Sequence, residues 1–310
     1  MSPPLVSVLM ACYRHERFIR QAIESVLLQR TPFPVELIVG DDASPDASAA
    51  IISGLAAAHP GRIRALLHPR NLGSQANTQC LFAAATGRYI ALLEGDDYWT
   101  DPAKLSRQIA ALEAAPSIPG SIHAAQVVDV TGAPLGETPP AAARSAFVTF
   151  AALAAENTVP TASLVFRRHL LPCPPGWASG LVMHDWPCLL ELSALGPLKR
   201  FPQLWSAYRA HPGGIWSGAT HLSRLRALVD LFDRAEKRFP LIAGTRMPAN
   251  RKKLLFELFQ RADAADDVSA ARHWLRRYWC ALPGRWQLPP HQGRAVLRTV
   301  FGWPARRPAP

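Results

Sequence analysis

From residue 5 to residue 97 the chain alternates between two spacings of apolar positions. The runs LVSVLMAC (5–12), VELIVGDD (35–42), RIRALLH (62–68) and RYIALLEGDD (88–97) are short and rich in aliphatic residues, which predicts buried strands. Between them, ERFIRQAIESVLLQ (16–29) sets Phe18, Ile19, Ala22, Ile23, Val26 and Leu27 at helical spacing. DASAAIISGLAAAHP (46–60) predicts a second helix, with Ser44, Pro45 and Asp46 as cap and first turn and Pro60 as the stop. SQANTQCLFAAAT (74–86) predicts a third, closed by Gly87. Strands alternating with helices over short links imply an α/β fold, a largely parallel sheet wrapped by helices.

The pattern loosens between about 120 and 215. GSIHAAQVVDV (120–130) and TASLVFRR (161–168) predict strands, 132–145 a loop rich in Pro, Ala and Gly, and HDWPCLLELSALG (184–196) a helix entered from a loop. From 219 the spacing is helical, with Leu222, Leu225, Val229, Phe232 and Phe239 on one face and further helices expected over 248–263 and 267–281. Trp274, Tyr278 and Trp279 fall at helical spacing and are expected in a core. The domain expectation is 1–217 as the α/β body, 218–282 as a helical extension, and 283–310 as a loose, basic tail rich in Pro and Arg.

Charge adds a partner class. Lys and Arg number 34 against 23 acids, a formal net charge of +11, which suits nucleic acid, acidic lipid or a phosphorylated small molecule. Much of the excess lies beyond Arg251, and no nucleic-acid reader motif accompanies it, so no nucleic acid is expected. Five scattered cysteines without a CxxC pair disfavour a zinc or disulfide framework and point to a reducing compartment. Without a visible leader or membrane-length apolar run, the expected location is cytoplasmic. GxGxxG, GxxxxGK[ST] and GxSxG are all absent, which disfavours a dinucleotide dehydrogenase, a P-loop ATPase and an esterase.

In parallel sheets, ligands bind beyond the carboxyl ends of the strands. Three of those ends are polar here: CYRHE, DDASPD and EGDDYW. Asp42 suits a hydrogen bond to a nucleobase or ribose, or equally a helix cap. Glu94, Asp96 and Asp97 suit a hard divalent cation, or a solvated turn. Such crowded acids repel unless a cation, basic side chains or water offsets them. Asp185, beside Trp186 and ahead of an apolar helix, suits a general base or an N-cap. The segment Tyr208–Ser217 offers Arg209 and His211 to a phosphate, or is an ordinary glycine turn.

Taken in order, these segments resemble the inverting family 2 glycosyltransferases of GT-A fold over residues 4–217. The opening strand and helix, ELIVGDDASPD, NLGSQANTQ, LLEGDDYWTDPAKLSRQ, HDWPCLLELSALG and YRAHPGGIWSG each resemble a family segment. The resemblance implies a nucleotide-binding, mostly parallel sheet and transfer of a sugar from a nucleoside-diphosphate-sugar to an acceptor hydroxyl. It implies nucleotide-sugar contacts at Ala11, Tyr13, Asp42, Asn71, Asn77 and Asp96, and a divalent cation, Mn²⁺ or Mg²⁺, at Asp96 and Asp97. It also implies Asp185 as the general base, with His211, Arg209 and Glu94 near the diphosphate or metal. Glu94 replaces the leading Asp of the longer family motif, and His184 stands where Glu commonly precedes the base. The implied acceptor is a carbohydrate or a lipid-linked sugar in surface polysaccharide or glycolipid synthesis. A lipid-linked acceptor would suit peripheral contact of the basic C-terminal region with the inner membrane face. The alternative is a catalytically silent relative that keeps nucleotide-sugar or partner binding.

Overall fold

The computed structural model describes residues 5–281 and divides into two compact units, one ending at Gly218 and the other starting at Ala219. In the first unit, β1 (Val6–Cys12), β2 (Val35–Asp41), β3 (Ile63–Leu67) and β4 (Tyr89–Glu94) lie parallel in the order β3-β2-β1-β4. They alternate with α1 (Ile19–Leu27), α2 (Ser48–Ala58) and α3 (Ser74–Ala84). The short β5 (Tyr98–Trp99) and the helix α4 (Lys104–Ala114) follow the acidic turn.

The sheet then grows through β6 (Gly120–Val128), β7 (Pro134–Thr138), β8 (Phe147–Val148), β9 (Val165–Arg167) and β10 (Leu198–Arg209). Short β9 sits antiparallel between β4 and β6, β10 runs parallel to β6, and β5 closes that edge antiparallel to β10. The segment 132–145, expected as a loop, contains β7, which pairs antiparallel with β6. Within 161–168, expected as one strand, Thr161–Ser163 is a 3₁₀ turn and only Val165–Arg167 is extended. The helix α5 (Phe150–Ala155) is capped by Thr149, and α6 (Asp185–Leu195) leads into β10.

Period-two burial explains the layering. Val6, Val8, Met10 and Cys12 of β1, with Leu37, Val39, Ala91 and Leu93, pack in one core with Ile19, Ile23, Ile52, Leu105 and Ile109 of α1, α2 and α4. On α3, Asn77 is buried; its Nδ2 donates to the Gly40 carbonyl (2.9 Å) and its Oδ1 meets His68 Nε2 (3.1 Å). A Cβ on residue 40 would overlap the Asn77 amide, so glycine at this position lets α3 approach β2. The second helix begins at Ser48, later than expected, because Ser44 turns back to bond the Asp41 carboxylate (Oγ–Oδ1 2.6 Å).

The second unit comprises α7 (His221–Arg238), α8 (Met247–Ala264) and α9 (Val268–Cys280). Leu225, Val229, Leu255, Leu258, Phe259, Leu275 and Tyr278 form its core, with Trp274 and Trp279 packed against it. The Asp233 carboxylate of α7 pairs with Arg251 of α8 and Arg277 of α9, a charged tie across three helices. No helix among the described residues is long and apolar enough to cross a membrane. The expected tail, 283–310, lies outside the described residues.

Gly40→Ala is expected to destabilise the protein by about 1–3 kcal/mol through overpacking against Asn77. Urea unfolding measures this; an unchanged midpoint would show that α3 gives way freely.

Candidate active site

Strand register assembles the site. Ala11 of β1 lies between Gly40 of β2 and Glu94 of β4, and Cys12 is level with Asp41. Hydrogen bonds from Asp42 N to the Cys12 carbonyl (3.0 Å) and from Gly95 N to the Ala11 carbonyl (2.9 Å) carry this alignment past the strand ends. The acids therefore emerge side by side.

Asp42 is buried, but not as a helix cap. Its carboxylate accepts the backbone N–H groups of Leu72 (2.6 Å) and Gly73 (2.9 Å), and Asn71 Nδ2 donates to its carbonyl (3.1 Å). Ala11, half-buried, and Tyr13, exposed, lie at the same end of β1, so Ala11, Tyr13, Asp42 and Asn71 are brought together. Asn77 is not among them, because both ends of its amide are engaged beneath the sheet.

The charges beyond β4 are answered mainly from β10 and the loop after it. Buried Arg209 donates its main-chain N–H to Asp97 Oδ1 (2.8 Å). Its guanidinium donates to the carbonyls of Asp96 (2.9 Å), Asp129 (3.2 Å) and Val130 (3.3 Å), and to Gln21 Oε1 (2.9 Å). Four of five donors are thus committed within the fold, which removes Arg209 from the diphosphate contact expected of it and makes it the clamp of the acidic turn. The guanidinium also stands 4.5 Å from the Phe18 ring centre.

His211 places Nε2 3.0 Å from Asp96 Oδ2. His15 was missed: its Nε2 lies 3.7 Å from the same oxygen. The available signal was CYRHE at a strand's carboxyl end, where only Tyr13 was singled out. The loop that carries His15 is pinned to the start of α2, its N–H groups at residues 14, 15 and 16 donating to Ser44 (2.9 Å), Ser48 (3.0 Å) and Asp46 (3.2 Å).

These surroundings split the acids. Burial pushes the Asp96 carboxyl up, but the His211 hydrogen bond and the nearby His15 outweigh it and hold Asp96 below its ordinary value. Burial and the charge of Asp96 push Asp97 well above its ordinary value, against the opposing Arg209 N–H. Burial, then Asp96 and Asp185, raise Glu94 from 4.5 to about 8. Burial pushes the His15 imidazole down despite Asp96.

Among the described residues, no three His, Cys, Asp or Glu side chains enclose a metal ion by themselves. The donor set nonetheless fits a cation shared with a substrate. Crowded acids that suppress one another's ionisation gain by gathering around a divalent charge, and such ions commonly take one or two carboxylates and complete their shell with phosphate oxygens.

Asp185 is the first residue of α6, and its Oδ2 accepts from Thr161 Oγ1 (3.1 Å) and Asn157 Nδ2 (3.3 Å). It caps nothing, and its charge reaches Glu94. The preceding His184 meets Ser74 Oγ (2.9 Å), and both line an open cavity of ≈ 480 Å³ together with the start of α3, residues 179–182 and Ile215.

A family model described as Glycosyl transferase family 2 matches residues 7–150. An uncharacterised protein of Mycobacterium tuberculosis is 34% identical over 292 residues, which cover 94% of this chain and 78% of the relative. The chain belongs to glycosyl transferase family 2. The Escherichia coli UDP-Glc:alpha-D-GlcNAc-diphosphoundecaprenol beta-1,3-glucosyltransferase WfaP is 36% identical over 109 residues, 35% of this chain and 41% of that protein. The mannosyltransferase PcManGT of Pyrobaculum calidifontis, solved with GDP-Man and Mn²⁺, shares the fold at a TM-score of 0.60 and 16% identity, over 97% of this chain and 88% of that one. The protein is a glycosyltransferase of GT-A architecture, and the acids just described stand in its family 2 domain or, for Asp185, beyond the matched residues.

The Glu94 shift has a consequence in metal-free protein. Between pH about 4.5 and 8 the unfolded chain releases this proton while the folded chain keeps it, so stability falls as pH rises through that window. Glu94→Gln, neutral throughout, is expected to flatten that part of a profile of Tm against pH recorded in chelator. The same slope in both proteins would show that Glu94 ionises normally.

Proposed function

We propose that this glycosyltransferase moves a sugar from a nucleoside-diphosphate-sugar to a hydroxyl of a carbohydrate or lipid-linked acceptor, with inversion. The observation that carries the reading is the cluster of Glu94, Asp96 and Asp97 beyond β4, with the charge of Asp185 reaching it. Asp42, Asn71, Ala11 and Tyr13 hold the nucleoside, and Asp96 with Asp97 hold a divalent cation, Mn²⁺ or Mg²⁺. When bound, that cation offsets the charge that builds on the departing diphosphate.

The remaining steps belong to the chain. Arg209 keeps the acidic turn in place, and His211 faces the diphosphate side of Asp96. Thr161 and Asn157 hold one oxygen of Asp185, which leaves the other to accept the proton of the acceptor hydroxyl as that oxygen attacks the anomeric carbon. One displacement inverts the centre, so no protein nucleophile is needed. The cavity beside His184 receives the acceptor. The WfaP name pairs a UDP-sugar with a lipid-diphosphate-linked sugar and a β-linkage, which supports an acceptor of this type. A membrane-borne acceptor would draw the basic C-terminal residues toward acidic headgroups at the inner membrane face.

Asp185→Asn is expected to leave nucleotide-sugar affinity near normal and to lower the transfer rate by about 10²–10⁴-fold; transfer at the native rate would remove Asp185 from the role of base. Asp96→Ala combined with Asp97→Ala is expected to abolish metal-dependent nucleotide binding in a thermal-shift titration with Mn²⁺, while the melting transition stays cooperative. Binding that survives in the double variant would overturn the cation assignment.

A further inference from the structure

Away from the acids, the layer between α4 and the sheet buries four polar side chains: Lys104, Gln108, His123 and Ser206. In each, one polar atom forms no hydrogen bond with any described residue: Lys104 Nζ, Gln108 Oε1, His123 Nε2 and Ser206 Oγ. The register gathers them. Ser121, His123 and Ala125 alternate on one face of β6, and Gln108 Nε2 donates to Ser121 Oγ (3.2 Å), so that face meets α4. Ser206 of β10 is level with Ala125 and opposite Trp99 of β5. Lys104, one helical turn before Gln108, sets Nζ 3.7 Å from the centre of the Trp99 ring. Burial and, after it, the charge of Lys104 push the His123 imidazole well below its ordinary value, so the two side chains feel each other.

The chemistry of these atoms says what fits among them. Gln108 Nε2 is engaged by the Ser163 carbonyl (2.9 Å) and by Ser121, which leaves Oε1 a bare acceptor. His123 Nδ1 lies 2.8 Å from the Ala124 carbonyl and must donate to it, so Nε2 of the neutral ring is an acceptor too. Lys104 Nζ is a donor, and the Ser206 hydroxyl can do either. Native interiors pair their buried polar atoms, yet no two of these four bond directly, so a bridge is needed. An anion would face the bare acceptors of Gln108 and His123. A cation would meet the positive N–H groups of Lys104. Water donates twice and accepts as well, which matches the set.

We propose that Lys104, Gln108, His123 and Ser206 enclose an internal hydration site. At least one ordered water donates there to Gln108 Oε1 and His123 Nε2 and accepts from Lys104 Nζ, with the Ser206 hydroxyl completing its shell. The site stands independently of any role given to the acids. It lies where Trp99 Nε1 donates to the Ala162 carbonyl (2.8 Å) and Gln108 to that of Ser163, so the water belongs to the packing that ties α4 and β5 to residues 162–163.

The test is a crystal structure of the full chain, without ligand, at a resolution that shows ordered solvent. Density for a water is expected within ~3.2 Å of Lys104 Nζ and of both Gln108 Oε1 and His123 Nε2. Lys104→Met keeps the length of the side chain but removes the donor, and its structure is expected to lose that water. Ser206→Ala, a milder change, serves if the methionine variant does not fold, and is expected to lower the occupancy of the water. A soak in bromide distinguishes the other occupant: an anomalous peak among the four side chains would replace water by an anion and overturn the proposal. So would Lys104 Nζ bonded directly to Gln108 Oε1 or His123 Nε2 with no density between them, or a water that stays unchanged in the variant.

Discussion

Arg209 is the residue on which the site's geometry depends. Its guanidinium joins the turn after β4, the segment after β6 and the helix α1 through carbonyls and one amide oxygen, while its own N–H meets Asp97. A buried guanidinium is costly to leave short of partners, so these bonds persist as a set. They also deliver positive charge to a place where three acids lie within four positions. The clamp fixes the turn without neutralising it fully: among the described residues no base offsets Glu94, and Asp97 receives an N–H where a full cation would be stronger.

The result is an electrostatically unfinished site. Asp96, held low by two imidazoles, remains a carboxylate, and its charge in turn helps to hold protons on Glu94 and Asp97. A divalent ion arriving with a diphosphate would find one ready carboxylate and two that become available as their protons leave. The sheet can maintain this tension because β1, β2 and β4 are bonded in register right up to the acids, so repulsion cannot spread the strands.

Much of this was legible in the sequence because the first four strands are short, aliphatic and separated by clean helical spacing. Their polar ends singled out Asp42, Glu94, Asp96 and Asp97, and the order of segments announced the family. Partnerships were not legible. Asn77 and Arg209 have residue types that suit ligands, yet each is consumed by partners brought near only by the fold, Asn77 by the Gly40 carbonyl and His68, Arg209 by three carbonyls and Gln21. His15 sits one turn before a helix whose apolar face dominates the local pattern, and its nearness to Gly95 and Asp96, some eighty positions away in sequence, comes only from the fold. The segment 132–145 read as a loop because its prolines and glycines mask a strand that pairs along the outer side of β6, where such residues are tolerated.

The carboxylate of Asp42 ties down Leu72 and Gly73, and both of these residues wall the cavity beside His184. A substitution at 42 would release that wall, so the shape of the cavity is governed in part by a residue that does not line it.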